Sequence, residues 1–439
     1  MRSVINPERD EMEKLNDFEE FTTVLKEQAC WADVCTEPGM VALMAARAAA
    51  LANEPALKIE VHLSGGILKN ALSAGLPSIQ ARGPAVAAAM GAVARDASRG
   101  LTILGNLTQD QLGEALALAT SGCVTVRLDP AHEGVYGKCV LWTENHVAEV
   151  VIEGAHTNIT EEKLDGRVLF AAANMTNAGG LSSLKEWSFE KLVDVATSID
   201  AESLEWLLRG ARSSIDLAAA GAGPDCCREM SFWRTGGGAS ACAGWPAAEA
   251  ADWAAKAICA RMNGVSWPVV TSAGSGNQGI MVGTAILSAA SRLGLPDHKT
   301  IQALALAHGV NMFVKSYIGE VSCLCGGMSA GAGVAAAVCW MTGGTRAQMA
   351  EAVTEVLGSL FGMICDGAKT TCALKGWVAV TLGILVGQRT AGHRTKTQHQ
   401  GVIGGSLEET LLRLEAMNKT VFSRSDDVLL SLAGVQRVS

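Results

Sequence analysis

Three long stretches of this chain carry no charged residue: Val265–Ser291, Val321–Thr345 and Gly376–Gln388. Such segments must be buried, either in a membrane or inside a protein. A membrane span needs about 20 mostly apolar residues. The first stretch carries GSGNQG in its middle, the second opens on CLCGGMSAGAG, and the third is too short. Small residues dominate the second, with few Leu or Ile. The stretches therefore predict buried helices packed around a dry site, with no membrane as partner. Composition agrees, since hydrophobic residues make up 49% but aromatics only 5%, with 48 Gly. Glycine usually contributes about 7% of a chain, so the helices are expected to pack through small residues. A net charge of -9 leaves no basic face for nucleic acid. The 13 Cys are odd in number, and the N-terminus is charged without an apolar run. A reducing, cytoplasmic setting with mostly buried thiols is expected.

With 439 residues, the chain is long enough for two or three domains. Leu57–Leu63 alternates like a strand, and Cys123–Leu128, Gly137–Thr143 and Val147–Glu153 read the same way. Helical patterns surround them: 10–30, 40–51, 83–96 and 109–121 before or among the strands, then 187–210, 246–262, 278–293, 298–316, 328–341, 347–361, 373–388 and 406–417. The expected fold class is α+β, a mainly helical domain with an inserted small α/β domain of sheet plus helices. The expected boundaries are 1–55 for an N-terminal part of the helical domain, 56–170 for the α/β insert and 171–439 for the rest. The Gly/Ala-rich 218–246 is expected to be a lid or a plain linker.

Four groups of residues could carry chemistry. Cys325 lies in LCGGMSAGAG, and Cys365 and Cys372 bracket CDGAKTTC. Two thiols seven residues apart on a straight helix would sit roughly 10 Å apart along its axis. A turn at Gly367 would fold them together. Three thiols on Gly-flanked turns suit a soft metal centre, although unrelated buried cysteines fit the same pattern. Cys323 lies two residues from Cys325, so which of the two would serve as a ligand stays open. Cys35, in VCTEPG, precedes a helix start at Pro38. The helix dipole would lower its pKa, while Asp33 and Glu37 oppose that. Ser275, Gly276, Asn277 and Gln278, in GSGNQG, could present N–H groups and amides to a carboxylate, or form a plain turn. Lys69, in SGGILKN, could hold a carboxylate or form a Schiff base with a cofactor aldehyde, but an exposed lysine without a role is the common case.

Taken in order, CTEP, the KN of SGGILKN, GAHTN, GSGNQG, LCGG and MICDGAKTTCALK resemble the cysteine desulfidase family, which is related to the iron–sulfur L-serine dehydratases. The resemblance runs from Cys35 to Lys375. The steps of 40 and then 7 residues from Cys325 to Cys365 to Cys372 also match that family. The resemblance implies that Cys325, Cys365 and Cys372 bind a 4Fe-4S cluster whose open iron takes the substrate's β-thiol or hydroxyl. It implies that Cys35 is the base for the α-proton. It also implies that Ser64, Lys69, Asn70, Asn277 and Gln278 hold the amino acid, with His156 and Asn158 nearby in GAHTN. Gly66 stands where that family carries Asn, which implies a roomier site.

The implied reaction is β-elimination from L-cysteine to pyruvate, ammonia and sulfide. It needs a base for a weakly acidic proton and a Lewis acid for the leaving group. Dehydration of L-serine or another β-hydroxy amino acid would use the same parts. A pyridoxal-phosphate lyase built on Lys69 lacks an evident phosphate cup. A non-enzymatic iron–sulfur sensor is the remaining alternative. The expected partner is a small amino-acid substrate, and a homodimer is compatible with the small-residue helices.

Overall fold

The structure, a computed structural model, describes residues 7–79, 81–172, 180–220, 246–392 and 400–435. Most of segment 218–246 lies outside them. The described helices are α1 (Pro7–Gln28), α2 (Thr36–Ala52), α3 (Gly65–Ala71), α4 (Pro84–Ala94), α5 (Gln109–Thr120), α6 (Leu181–Leu184), α7 (Phe189–Ser198) and α8 (Glu205–Ala220). They continue with α9 (Pro246–Met262), α10 (Gly276–Leu293), α11 (Asp297–Ile318), α12 (Gly326–Met341), α13 (Arg346–Leu360), α14 (Cys372–Gly392), α15 (Leu407–Thr420) and α16 (Ser425–Leu432). The strands are β1 (Trp31–Ala32), β2 (Lys58–Leu63), β3 (Val124–Leu128), β4 (Tyr136–Trp142), β5 (Val147–Glu153), β6 (Ile159–Leu164), β7 (Arg167–Ala171) and β8 (Val269–Val270). The fold is α+β and mainly helical, with one mixed sheet.

That sheet has the order β3-β2-β4-β5-β6-β7. Its β2–β3 pair is parallel and the others are antiparallel. Alternation selects one face, where Ile59, Val61, Leu63, Cys139, Leu141, Ala148, Val150 and Ile152 are all buried. Helix α2 lies on this face and joins the sheet's core, not the helical one. Two glycines let neighbours approach α2 closely, Gly137 from β4 of the sheet and Gly91 from α4. At Gly137 a Cβ would come within 2.7 Å of the Met40 and Met44 methyls, and at Gly91 it would collide with the Ala42 carbonyl. The β6–β7 hairpin extends the sheet beyond the strands expected from sequence. Its turn residues Asp165 and Gly166 both have positive φ, 52° and 77°, the Asp-Gly signature of a tight hairpin.

The charge-free stretches become α10, α12 and the middle of α14. They are packed inside the second core, with α9 and α11 around them. Backbone contacts are close. A Cβ at Gly333 would strike the Ala307 carbonyl, and one at Gly383 would lie 2.6 Å from the Gly331 carbonyl. No described helix is long and apolar enough to cross a membrane. The expected helix 187–210 is broken into α7 and α8 by Asp200–Leu204, where Asp200 accepts from the Glu202 N–H at 3.2 Å.

Candidate active site

Four helices begin at one cavity. Cys35 precedes α2, Ser275 precedes α10, Cys325 precedes α12, and Cys372 is the first residue of α14. All four residues line the same cavity. Two short antiparallel pairings bring these helix starts together. β1 pairs with β8, Trp31 opposite Val270 and Ala32 opposite Val269, which sets the lead-in to α2 beside that to α10. The bridge between Leu324 and Ile364 sets the lead-in to α12 beside the turn before α14. In that bridge the Cys325 N–H donates to the Met363 carbonyl at 2.9 Å and the Cys365 N–H to the Cys323 carbonyl at 2.6 Å. Four positive helix ends at one space favour anions there.

Cys325, Cys365 and Cys372 share this cavity with Cys35. Gly367, with φ of 100°, turns the chain between Cys365 and Cys372, and the Cys372 Sγ donates to the Gly367 carbonyl at 3.7 Å. Lys375, one turn into α14, holds the turn by donating to the Ile364 carbonyl and to Asp366, each at 2.7 Å. Burial pushes the Cys325 thiol up to about 12, with Cys365 adding to the effect, and burial also raises Cys372. Among the described residues no group of three or more His, Cys, Asp or Glu closes on a single ion.

A chain of hydrogen bonds crosses from these thiols to Cys35. The Cys365 Sγ donates to Asn70 Oδ1 at 3.7 Å, and Asn70 Nδ2 donates to Glu37 Oε1 at 2.8 Å. Glu37 Oε2 in turn accepts from the Cys35 Sγ at 3.0 Å and from the Thr36 hydroxyl at 3.2 Å. Burial and then the Glu37 charge push the Cys35 thiol well above its ordinary value. Burial alone would also raise Glu37. The His156 charge and the hydrogen bonds from Cys35 and Asn70 outweigh it, so Glu37 is held below its usual value.

His156 and Glu320 form a buried pair, with Nδ1 donating to Oε1 at 2.6 Å. Burial works against charge on His156, but the Glu320 carboxylate prevails and raises its pKa. Gly274 leaves room for this pair, because a Cβ there would collide with Glu320 and come within 3.0 Å of His156 Nδ1. Gln278, on the first turn of α10, accepts from the Ser329 hydroxyl at 3.3 Å.

Nine of the residues singled out from the sequence line the cavity: Cys35, Asn70, His156, Ser275, Asn277, Gln278, Cys325, Cys365 and Cys372. Four others lie elsewhere, each for a physical reason. Lys69 donates to Asp426 at 2.6 Å and to the Cys365 carbonyl at 3.1 Å, so its charge is already paired. Ser64 is fully buried and donates to the Gly134 carbonyl at 2.6 Å. Asn158 is exposed and holds the Glu153 carbonyl at 2.8 Å. Gly276 backs onto Arg261, whose guanidinium occupies the space a Cβ would need. Gly66 does not widen the site either, since a Cβ there would meet Val321 at 2.5 Å. Cys323 is buried outside the cavity lining. Sequence reasoning placed the Glu37 charge against a lowered Cys35 pKa, as the structure has it, but did not foresee the Glu37 hydrogen bond to Cys35, and it missed Glu320 and Lys315. A carboxylate two residues from Cys35 was the available signal for the first.

Comparison with known proteins gives a consistent result. The serine dehydratase alpha chain family matches residues 146–431. A UPF0597 protein of Moorella thermoacetica is 34% identical over 90% of this chain and 93% of its own length. One from Nitratidesulfovibrio vulgaris is 34% identical over 92% and 96%, and one from Methanocella arvoryzae is 32% identical over 91% and 94%. The family match covers the three thiols of the α12–α14 side, and the full-length relatives extend the likeness across most of the chain.

Proposed function

Because this chain belongs to the serine dehydratase alpha chain family, we propose that it is an iron–sulfur-dependent β-eliminating lyase that converts L-cysteine to pyruvate, ammonia and sulfide. The observation that carries this reading is the meeting of Cys325, Cys365, Cys372 and Cys35 at one cavity fed by four helix N-termini. Three soft thiol donors lining one cavity suit an iron–sulfur centre. When bound, a 4Fe-4S cluster on these thiols would supply a Lewis-acidic iron for the leaving heteroatom.

The chain's own residues do the rest. Cys35 takes the α-proton, and the bond from the β-carbon to sulfur breaks as the electrons form the carbon–carbon double bond. Sulfur leaves as hydrosulfide, and the resulting enamine tautomerises and hydrolyses to pyruvate and ammonia. Burial and the Glu37 charge both raise the Cys35 pKa, which favours the thiol over the thiolate. Glu37 Oε2, at 3.0 Å, accepts from the Cys35 thiol and fixes its orientation in the cavity; Cys35 acts as the base once that proton has left to solvent. Asn70 fixes the Glu37 carboxylate from the other side.

L-serine dehydration by the same residues is the second reading, and the family's description favours it. An anaerobic panel of L-cysteine, L-serine and other β-substituted amino acids, followed for 2-oxo acid and sulfide, separates the two. Sulfide with pyruvate from L-cysteine supports the first reading, whereas pyruvate from L-serine alone replaces it with the second. An iron-loaded protein that turns over no member of the panel ends both and leaves a non-enzymatic sensor.

A further inference from the structure

The cavity lining contains polar atoms that have no partner among the described residues. Lys315, on α11, is 2% exposed and lines the cavity. Among the described residues, no hydrogen bond or ion pair reaches its ammonium group. The two other lysines near the thiols differ, since Lys69 has Asp426 and Lys375 has Asp366. His156 donates through Nδ1 to Glu320, and its buried Nε2 has no partner. The buried Oδ1 of Asn277 has none either. A buried cation without a counter-ion is costly, and such groups persist where a ligand completes them. Burial pushes Lys315 down to about 8 against the pull of Cys365, Cys325 and Glu320, the mark of a charge short of partners.

Two donors and one acceptor complement a carboxylate beside an ammonium group. We propose that Lys315 anchors the α-carboxylate of the substrate, with His156 Nε2 as a second donor and Asn277 Oδ1 as the acceptor for the α-ammonium. This rests on the reading of the site as an amino-acid lyase and specifies how that amino acid is held. The helix ends at Ser275 and Cys35 reinforce the same polarity, since they favour a negative group in the cavity. Lys69, the lysine that the sequence offered for this task, has its charge neutralised by Asp426.

The test compares L-alanine with its methyl ester as non-reacting competitors of turnover, in anaerobically purified wild type, Lys315→Met and Lys315→Gln. Wild type is expected to prefer the acid strongly. Loss of one partner in a buried charged contact weakens binding by about 100-fold, so both variants should bind L-alanine about that much more weakly and bind the ester nearly unchanged. Their iron and acid-labile sulfide should stay at the wild-type level. Removing an uncompensated charge should also raise the melting temperature of Lys315→Met by about 3 °C, which a purely structural lysine would not do. An unchanged preference for acid over ester in an active variant overturns the proposal and leaves the lyase reading standing. Loss of iron with the preference intact also overturns it, by assigning Lys315 to the cluster. A wild type that turns over no β-substituted amino acid and binds neither competitor overturns the lyase reading, and the proposal with it.

Discussion

The α3–α16 corner and the inner face of α11 each bury a lysine beside the same thiols, but only the corner supplies a counter-ion. Lys69 is 4% exposed and meets Asp426 at 2.6 Å. Lys315 is 2% exposed, and among the described residues no ion pair or hydrogen bond reaches its ammonium group. The first arrangement is a structural closure, tying the C-terminal helix α16 to the turn that carries Cys365. The second leaves a charge available to something that enters the cavity. Burial of a lysine alone does not mark a binding group. Burial without a partner, inside a cavity, does.

The largest effects should come from the thiols between the two lysines. Cys372→Ser is expected to lose iron and turnover together, measured by metal content and 2-oxo acid production. Iron retained at the wild-type level would remove Cys372 from the ligand set. Across the cavity, Cys35→Ser should keep its iron while turnover falls by about 10²–10⁴-fold, the usual contribution of a positioned base. Exchange of the substrate's α-proton with solvent is the decisive readout, and exchange at the normal rate would take the base assignment away from Cys35.

Stability then separates the two lysines. Asp426→Asn leaves the Lys69 charge buried without its partner and should cost about 3 kcal/mol in denaturant unfolding. Replacing both members with apolar residues, as in Lys69→Met with Asp426→Leu, should recover most of that loss. A double variant no better than the single one would show that the pair has a further role.

Alkaline pH should split them by sign. Burial opposes the charge on Lys69, but Cys365 and Asp426 outweigh it and raise its pKa. Its contribution to stability is therefore complete below the unfolded value of 10.5 and is lost only as pH climbs through the higher folded value. Lys315 is depressed from 10.5 to about 8. It costs stability below pH 8, on the order of 3 kcal/mol. That cost fades as pH rises to 10.5, because the unfolded chain binds the extra proton in that interval. The stability gap between Lys315→Met and wild type should therefore close between pH 8 and 10.5. A constant gap would mean that the two side chains differ in packing rather than charge.

This contrast also shows what could be read from the sequence. Most of the long helices and four of the strands follow from the sequence pattern, while α3, α6 and α16 were not expected and 187–210 is two helices; the three thiols that line the cavity were singled out by their Gly-flanked turns and their spacing. The β6–β7 hairpin was legible in the Asp165-Gly166 pair but was not used. The identity of the carboxylate anchor was not legible. Lys69 sits in a Gly-rich motif that invites a functional reading, yet its partner Asp426 lies 357 residues away. Lys315 sits in NMFVKSYI, where a lysine that reaches for solvent looks the same as one facing a cavity. The placement of α2 on the sheet was hidden for a similar reason, because an Ala-rich helix can pack against either core. It was settled by the close contact of Met40 and Met44 with Gly137 of β4.

The most direct measurement is iron and acid-labile sulfide per chain after anaerobic purification, for wild type and for a Cys325, Cys365 and Cys372 triple serine variant. About four of each are expected in wild type, as a 4Fe-4S cluster requires, and none in the triple variant. Wild-type protein without iron or sulfide, or a triple variant that keeps them, would contradict the assignment of these three thiols to a cluster.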